Sequence, residues 1–195
     1  VNTLAYDGEN QLNVTKSGEK EVIKDTVAYA NVIAGEEYTI TGRLFDKETG
    51  EVLKDEDGEE ITASTKFVAQ DTSGAAEIVF EVDTSKLAGH RLVAFEKLLY
   101  KEFEIGKHEN PDDEDETVYV PKIGTTMTDI NDMHMHIADD VATLTDTVEY
   151  EKLAPGYAYI MVGQLMNKAT NEPIKLTNAD TAESKGYDAG KKLQE

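Results

Sequence analysis

The chain has 195 residues and a formal net charge of −21, with 40 acidic side chains against 19 basic ones. Such a surface repels nucleic acid and anionic membranes, because phosphate binding needs clustered Lys and Arg. Cysteine is absent, which excludes disulfide staples and thiolate metal sites, and no apolar run approaches the length of a membrane span.

Val1 does not begin a signal peptide, so the chain reads as an excised piece of a longer protein. The opening Val1-Asn2-Thr3-Leu4-Ala5-Tyr6-Asp7 leads to Asp25-Thr26-Val27-Ala28-Tyr29. Alternating runs then predict half-buried strands at 38–45, 62–68, 76–82 and 91–98. Asp46-Lys47-Glu48-Thr49-Gly50, Asp55-Glu56-Asp57-Gly58 and Asp71-Thr72-Ser73-Gly74 each carry hairpin-turn chemistry. Asp83-Thr84-Ser85-Lys86-Leu87 suits one helical turn. Residues 107–116 form a polar loop, and Thr117-Val118-Tyr119-Val120 is a strand. Pro121 breaks pairing and marks a boundary. Many short strands with Gly and Asp turns predict an all-β, Ig-like antiparallel β-sandwich. The stretch 177–195 is polar and poorly patterned, either a frayed tail or a strand whose partner is missing.

The chain repeats itself at an offset of about 121 residues. Ile123-Gly124-Thr125-Thr126-Met127-Thr128-Asp129 echoes the opening, and Asp146-Thr147-Val148-Glu149-Tyr150 echoes Asp25 to Tyr29. Gly156 to Leu165 echoes Gly35 to Leu44. A period this long is a tandem of whole domains. Residues 1–120 are expected to be one complete domain, and residues 121–195 an incomplete, truncated second copy. Their linker is very short, which predicts a stiff joint.

Conventional chemistry has little support. There is no Gly-x-Ser-x-Gly, zinc motif or phosphate loop. His134 and His136 share one face of a strand, yet two residues without a third ligand do not define a metal site. The acidic run Asp112 to Glu116 lacks the glycine and spaced ligands of a calcium loop and reads as solvated charge. No metal and no cofactor are expected.

Five segments in order carry a resemblance. Thr3 sits in a Thr-x-Ala setting, Asp25 opens Asp-Thr-Val-x-Tyr, and Glu96 closes Val93-Ala94-Phe95-Glu96. His108 begins the acidic loop, and the last strand reads Glu116-Thr117-Val118-Tyr119-Val120. The set resembles the VaFE-repeat surface proteins of Gram-positive bacteria, which contain Thr–Gln ester-bond domains related to CnaB-type sandwiches. The resemblance implies an autocatalytic crosslink between the first and last strands. Thr3 would be the nucleophile; Asp25, Glu96 and His108 would handle protons and polarise the carbonyl. The chemistry suits these residue types. A Thr hydroxyl needs a positioned base, a buried protonated carboxyl can stabilise an oxyanion, and a His can pass the proton to the leaving group.

One position departs from the pattern: Glu116 stands where the family has Gln. A carboxylate is a poor electrophile, so the first unit is expected to keep the frame unbonded. Burial that keeps Glu116 protonated would restore some reactivity. The second copy has Thr125 and Asp146 at the matching places and no last strand to close the bond. Outside the family frame each residue has an ordinary role. Thr3 would be a strand Thr, Asp25 a turn residue, Glu96 a solvent-facing side chain and His108 a loop His.

The resemblance implies a structural stalk module of a cell-surface adhesin or pilus-like protein, extracellular and cell-wall anchored in its parent. Its partners would be neighbouring domains of that protein. The alternative is an adhesin module that itself recognises a host protein or glycan. Neither is an enzyme in the ordinary sense, since the crosslink is a single intramolecular turnover.

Overall fold

The computed structural model describes residues 3–129 and 144–174, together with the backbone of Lys192–Leu193. The chain divides into two units, Val1–Leu153 and Ala154–Glu195.

The first unit opens with β1 (Ala5–Asp7), β2 (Glu21–Ala30) and β3 (Glu37–Asp46). There follow β4 (Glu51–Val52), β5 (Thr62–Val68) and β6 (Ser73–Val82). Next come β7 (His90–Tyr100), β8 (Phe103–His108) and β9 (Thr117–Val120). One antiparallel sheet has the order β1-β2-β6. In the other, β3 pairs β4, β5 and β7, and β7 pairs β8 and β9 along its far edge. The expected all-β antiparallel sandwich is the fold that forms.

Alternation decides which side chains face inward. On β2, Ile23, Asp25, Val27 and Tyr29 are buried; on β3, Tyr38, Ile40, Gly42 and Leu44 are buried. All of these except Asp25 and Gly42 meet Ile78 and Phe80 of β6, Leu92 and Ala94 of β7 and Val118 of β9 in one apolar cluster. Each such Ile, Leu or Phe contributes about 1.5–3 kcal/mol by leaving water. The sheets close tightly at Gly42, where an added Cβ would stand 2.7 Å from Phe80 Cζ and 3.0 Å from Ile78 Cδ1. Gly42→Ala should therefore overpack the core and cost about 1–3 kcal/mol. A urea midpoint equal to that of the unchanged chain would contradict this.

The runs expected as strands lie within β3, β5, β6 and β7, and Thr117–Val120 is β9. Three local expectations are corrected. Asp71 to Gly74 is no hairpin: β5 pairs β3 while β6 pairs β2, so this turn carries the chain from one sheet to the other. Asp83 to Leu87 is not helical; Thr84 caps a turn by accepting the Leu87 amide at 2.9 Å. Lys107 and His108 belong to β8, so the polar loop begins at Glu109.

Beyond Pro121, β10 (Lys122–Asp129) and β11 (Leu144–Glu151) form an antiparallel ladder. Its register repeats the first copy, with Met127 opposite Asp146 as Ala5 is opposite Asp25. The second unit contains β12 (Tyr159–Ile160), paired with β15 (Lys192–Leu193), and β13 (Met166–Asn167), paired with β14 (Glu172–Pro173). His134 and His136 lie outside the described residues, as does 177–195 apart from β15.

Candidate functional site

The sandwich brings the chain's opening segment against the segment that precedes β9. The Ala5 amide donates to the Asp115 carbonyl at 3.0 Å, and the Thr26 amide donates to the Leu4 carbonyl at 3.1 Å. Thr3, two residues ahead of β1, is thereby held buried. Asp25 sits on the inward face of β2 between Ile23 and Val27, and its Oδ1 accepts the Leu4 amide at 3.2 Å. Glu96 on β7 stands opposite Gly42 on one side and His108 of β8 on the other. Cross-strand partners share a face, so Glu96 and His108 converge. Glu116 is placed by its own carbonyl, which accepts the Ala94 amide at 3.4 Å.

Thr3, Glu96 and Glu116 meet around the His108 imidazole, and Asp25 lies beside Glu96. Thr3 Oγ1 lies 3.2 Å from His108 Nδ1. Glu96 Oε2 lies 3.7 Å and Glu116 Oε1 3.9 Å from the same nitrogen. On the opposite side of the ring, His108 Nε2 faces Asp113 Oδ2 at 3.2 Å. A carboxylate beside Nε2 favours the tautomer with its proton there, which leaves Nδ1 to accept from the Thr3 hydroxyl. The arrangement is a Thr–His–Asp chain ending beside two buried carboxyls.

Those carboxyls cannot all be charged. Asp25 and Glu116 are fully buried and Glu96 is 1% exposed. Both oxygens of Glu96, both of Glu116 and Asp25 Oδ2 find no donor outside the carboxyl cluster itself. Burial is the largest influence on each. It drives Glu96 up to about 11, helped by the charges of Asp25 and Glu116. It drives Glu116 up to about 9, helped by Asp25, Asp113 and Asp115. Asp25 rises only to about 6, because hydrogen bonds from Glu96 and the Leu4 amide favour its anion. At neutral pH the cluster holds Asp25 ionised and Glu96 and Glu116 neutral. A proton on Glu96, shared with Asp25, turns a carboxylate clash into a hydrogen bond.

Glu96 does not point to solvent, as alternation without the motif would have it. From Leu92 to Glu96 every residue of β7 is buried, so period two cannot say which face is wet. His108 is a strand residue and not a loop His. Asp113 was missed altogether, because the run 112–116 reads as solvated charge. Its position comes from the loop's own bonds. Asp113 Oδ1 accepts the Asp115 amide at 3.0 Å, and its carbonyl accepts the Thr117 hydroxyl at 2.6 Å. In the second copy, Thr125 and Asp146 are exposed and share a ladder without an enclosing cluster among the described residues.

A second convergence of carboxylates and a histidine, Asp46, Glu48 and His90, has its oxygens engaged. Asp46 takes the Glu48 amide and His90; Glu48 takes the Arg91 amide and guanidinium and the Lys152 ammonium.

No curated protein sequence matches the chain. Several solved structures resemble the chain. One is a bacterial adhesin from Mobiluncus mulieris containing intramolecular disulfide, isopeptide and ester-bond crosslinks. It is 15% identical, with a TM-score of 0.50 over 78% of this chain and 73% of that one. A second crystal form of that adhesin gives 14% identity and a TM-score of 0.48 over 78% and 74%. The family profile of the T-Q ester bond containing domain matches residues 1–120 and again residues 121–194. With both spans matched, the chain belongs to the T-Q ester bond containing domain family.

Proposed function

We propose that the chain is a structural spacer from a bacterial cell-surface adhesin, extracellular, whose domains carry the frame for a crosslink between first and last strands. What supports the reading is the convergence of Thr3 Oγ1 and Glu116 Oε1 on His108 Nδ1, at 3.2 and 3.9 Å, beside buried Glu96. In this reading residues 1–120 are the complete domain and 121–195 a partial second one. His108 Nδ1 takes the Thr3 proton, Glu96 donates to the acyl oxygen, and Asp113 orients the ring. The role is mechanical: a bond from Thr3 to Glu116 would stop the sandwich from unzipping at either end.

Glu116 sets the chemistry. Condensation joins Thr3 Oγ to the Glu116 acyl carbon and releases one water. A neutral Glu116 is a competent electrophile, unlike a carboxylate. Water nonetheless holds the balance toward the free acid, and the expected state is open. Intact mass under denaturing conditions checks this: the full sequence mass is expected, and quantitative loss of one water would overturn the open assignment.

One feature favours direct ligand recognition as a second reading. A groove of about 540 Å³ on the outer face of the larger sheet is lined by Thr41, Arg43, Ser64, Phe95 and Lys97. Its hydroxyls and aromatic floor suit a neutral sugar, because Arg43 and Lys97 are already paired with Glu109 and Glu104. Glycan and matrix-protein arrays separate the two readings, since a spacer leaves them blank and a recognition module gives saturable, specific binding.

A further inference from the structure

Three residues of the crosslinking cleft also make a ligand set. Glu96, His108 and Glu116 each offer one donor atom, and these atoms all lie within 4.8 Å of one another. His108 Nδ1 is 3.7 Å from Glu96 Oε2 and 3.9 Å from Glu116 Oε1. Ligands at zinc lie about 2.0–2.2 Å from the ion, so in a tetrahedron they stand roughly 3.4 Å apart. The two distances to His108 exceed that spacing by about 0.3 and 0.5 Å, and the two carboxylates, within 4.8 Å of each other, would draw together on an ion. Two further observations point to an ion. All four Glu96 and Glu116 oxygens are buried with no donor from outside the cluster, so an ion displaces only the carboxyl protons, including the one Glu96 shares with Asp25. And His108 Nε2 is backed by Asp113 at 3.2 Å, the outer carboxylate that commonly orients a metal-bound imidazole. The His108 side chain is 19% exposed, which gives an ion a way in.

We propose that Glu96, His108 Nδ1 and Glu116 form a binding site for one first-row divalent cation of the zinc type. Asp113 positions the imidazole, and a water takes the fourth place. Calcium does not suit the set, because it seeks six to eight oxygens at longer distances. The Asp46, Glu48 and His90 group is no rival, since its oxygens already serve Arg91, Lys152 and His90. Glu116 is the discriminating residue: it can give up its proton to the ion and bind as an anion, which its amide counterpart cannot. The site stands whether or not the crosslink reading holds, and zinc and ester exclude each other because both use the Glu116 carboxyl.

The test uses the full chain stripped with EDTA, then zinc chloride, read by native mass spectrometry and thermal unfolding. Thr3→Ala is run alongside, because it keeps Glu116 free in every case. Both should bind one zinc, with a midpoint raised by roughly 5 °C or more at saturating ion. Asp113→Asn should weaken binding about tenfold. Thr3→Ala/Glu116→Gln and His108→Asn should lose the one-to-one complex while still showing a cooperative transition. His90→Ala and His134→Ala/His136→Ala should keep it. Absence of a one-to-one zinc complex in the unchanged and Thr3→Ala chains would overturn the proposal. So would a complex that survives Thr3→Ala/Glu116→Gln, or one that vanishes with His90 or with His134 and His136.

Discussion

Glu116→Gln is expected to yield a chain lighter by one ammonia, with an unfolding midpoint roughly 15 °C higher. The reaction is the one the frame is shaped for. Thr3 Oγ forms a bond to the side-chain carbonyl carbon of residue 116, and the carbon–nitrogen bond breaks. The hydroxyl proton passes through His108 Nδ1 to the departing nitrogen, and ammonia leaves. Protonated Glu96, held at about 11 by burial, donates to the developing oxyanion. The packed cleft supplies proximity. Closing a loop of roughly 100 residues removes about 4–5 kcal/mol of unfolded-state entropy, which in a domain of this size is roughly 15 °C. Thr3→Ala in the same background should abolish both the mass change and the thermal gain. Asp113→Asn should slow the mass change while leaving its end point in place, because it disturbs only the ring's tautomer. If Glu116→Gln keeps its full mass, the roles of Thr3, Asp25, Glu96 and His108 in crosslinking fall together. The zinc result does not depend on that outcome.

The second large effect is on pH. Glu116 has an ordinary value of 4.5 and stands at about 9 in the fold. Between those values the folded chain holds a proton that the unfolded chain has lost. Folding is then linked to proton uptake, so stability is fullest below the unfolded value and declines as pH rises through the folded one. Each carboxyl in this condition adds a slope of up to about 1.4 kcal/mol per pH unit. Glu96, raised to about 11, acts in the same direction, and Asp25 does so only up to about 6. The comparison that isolates Glu116 is Thr3→Ala against Thr3→Ala/Glu116→Gln, neither of which can form an ester. From pH 6 to 9 the first should lose several degrees per pH unit more than the second. Parallel curves would mean that Glu116 ionises in the fold as it does in water.

The strands that sequence reads best are those with one wet face. β3 and β5 alternate cleanly between turn residues, and their limits follow from period two. β7 was found by the same pattern, yet its central residues are buried on both sides, with Phe95 stacked on Phe45 at 5.1 Å. There alternation locates the strand without telling which side carries the chemistry. Thr3, Asp25, Glu96, His108 and Glu116 were legible through their order along a family pattern, not through periodicity. Asp113 was not legible, because its value depends on a loop that folds back through its own side-chain bonds. The sheet-to-sheet turn at Asp71 to Gly74 was misread for a related reason. Its residues suit a tight turn equally well whether the next strand pairs beside the last or crosses over.

The buried Glu116 has a consequence for reversibility. A bond made from glutamine discards ammonia, which is scarce in solution, so the amide does not re-form and only hydrolysis can reopen that clasp. Made from glutamate it discards water, the solvent itself. The free Thr3 hydroxyl and Glu116 carboxyl are, atom for atom, what hydrolysis of the glutamine-derived ester would leave behind. A cleft that keeps this pair dry and the acid neutral thus holds the spent form of the clasp in readiness. Its closure is governed by water activity inside the sandwich and no longer by an irreversible departure.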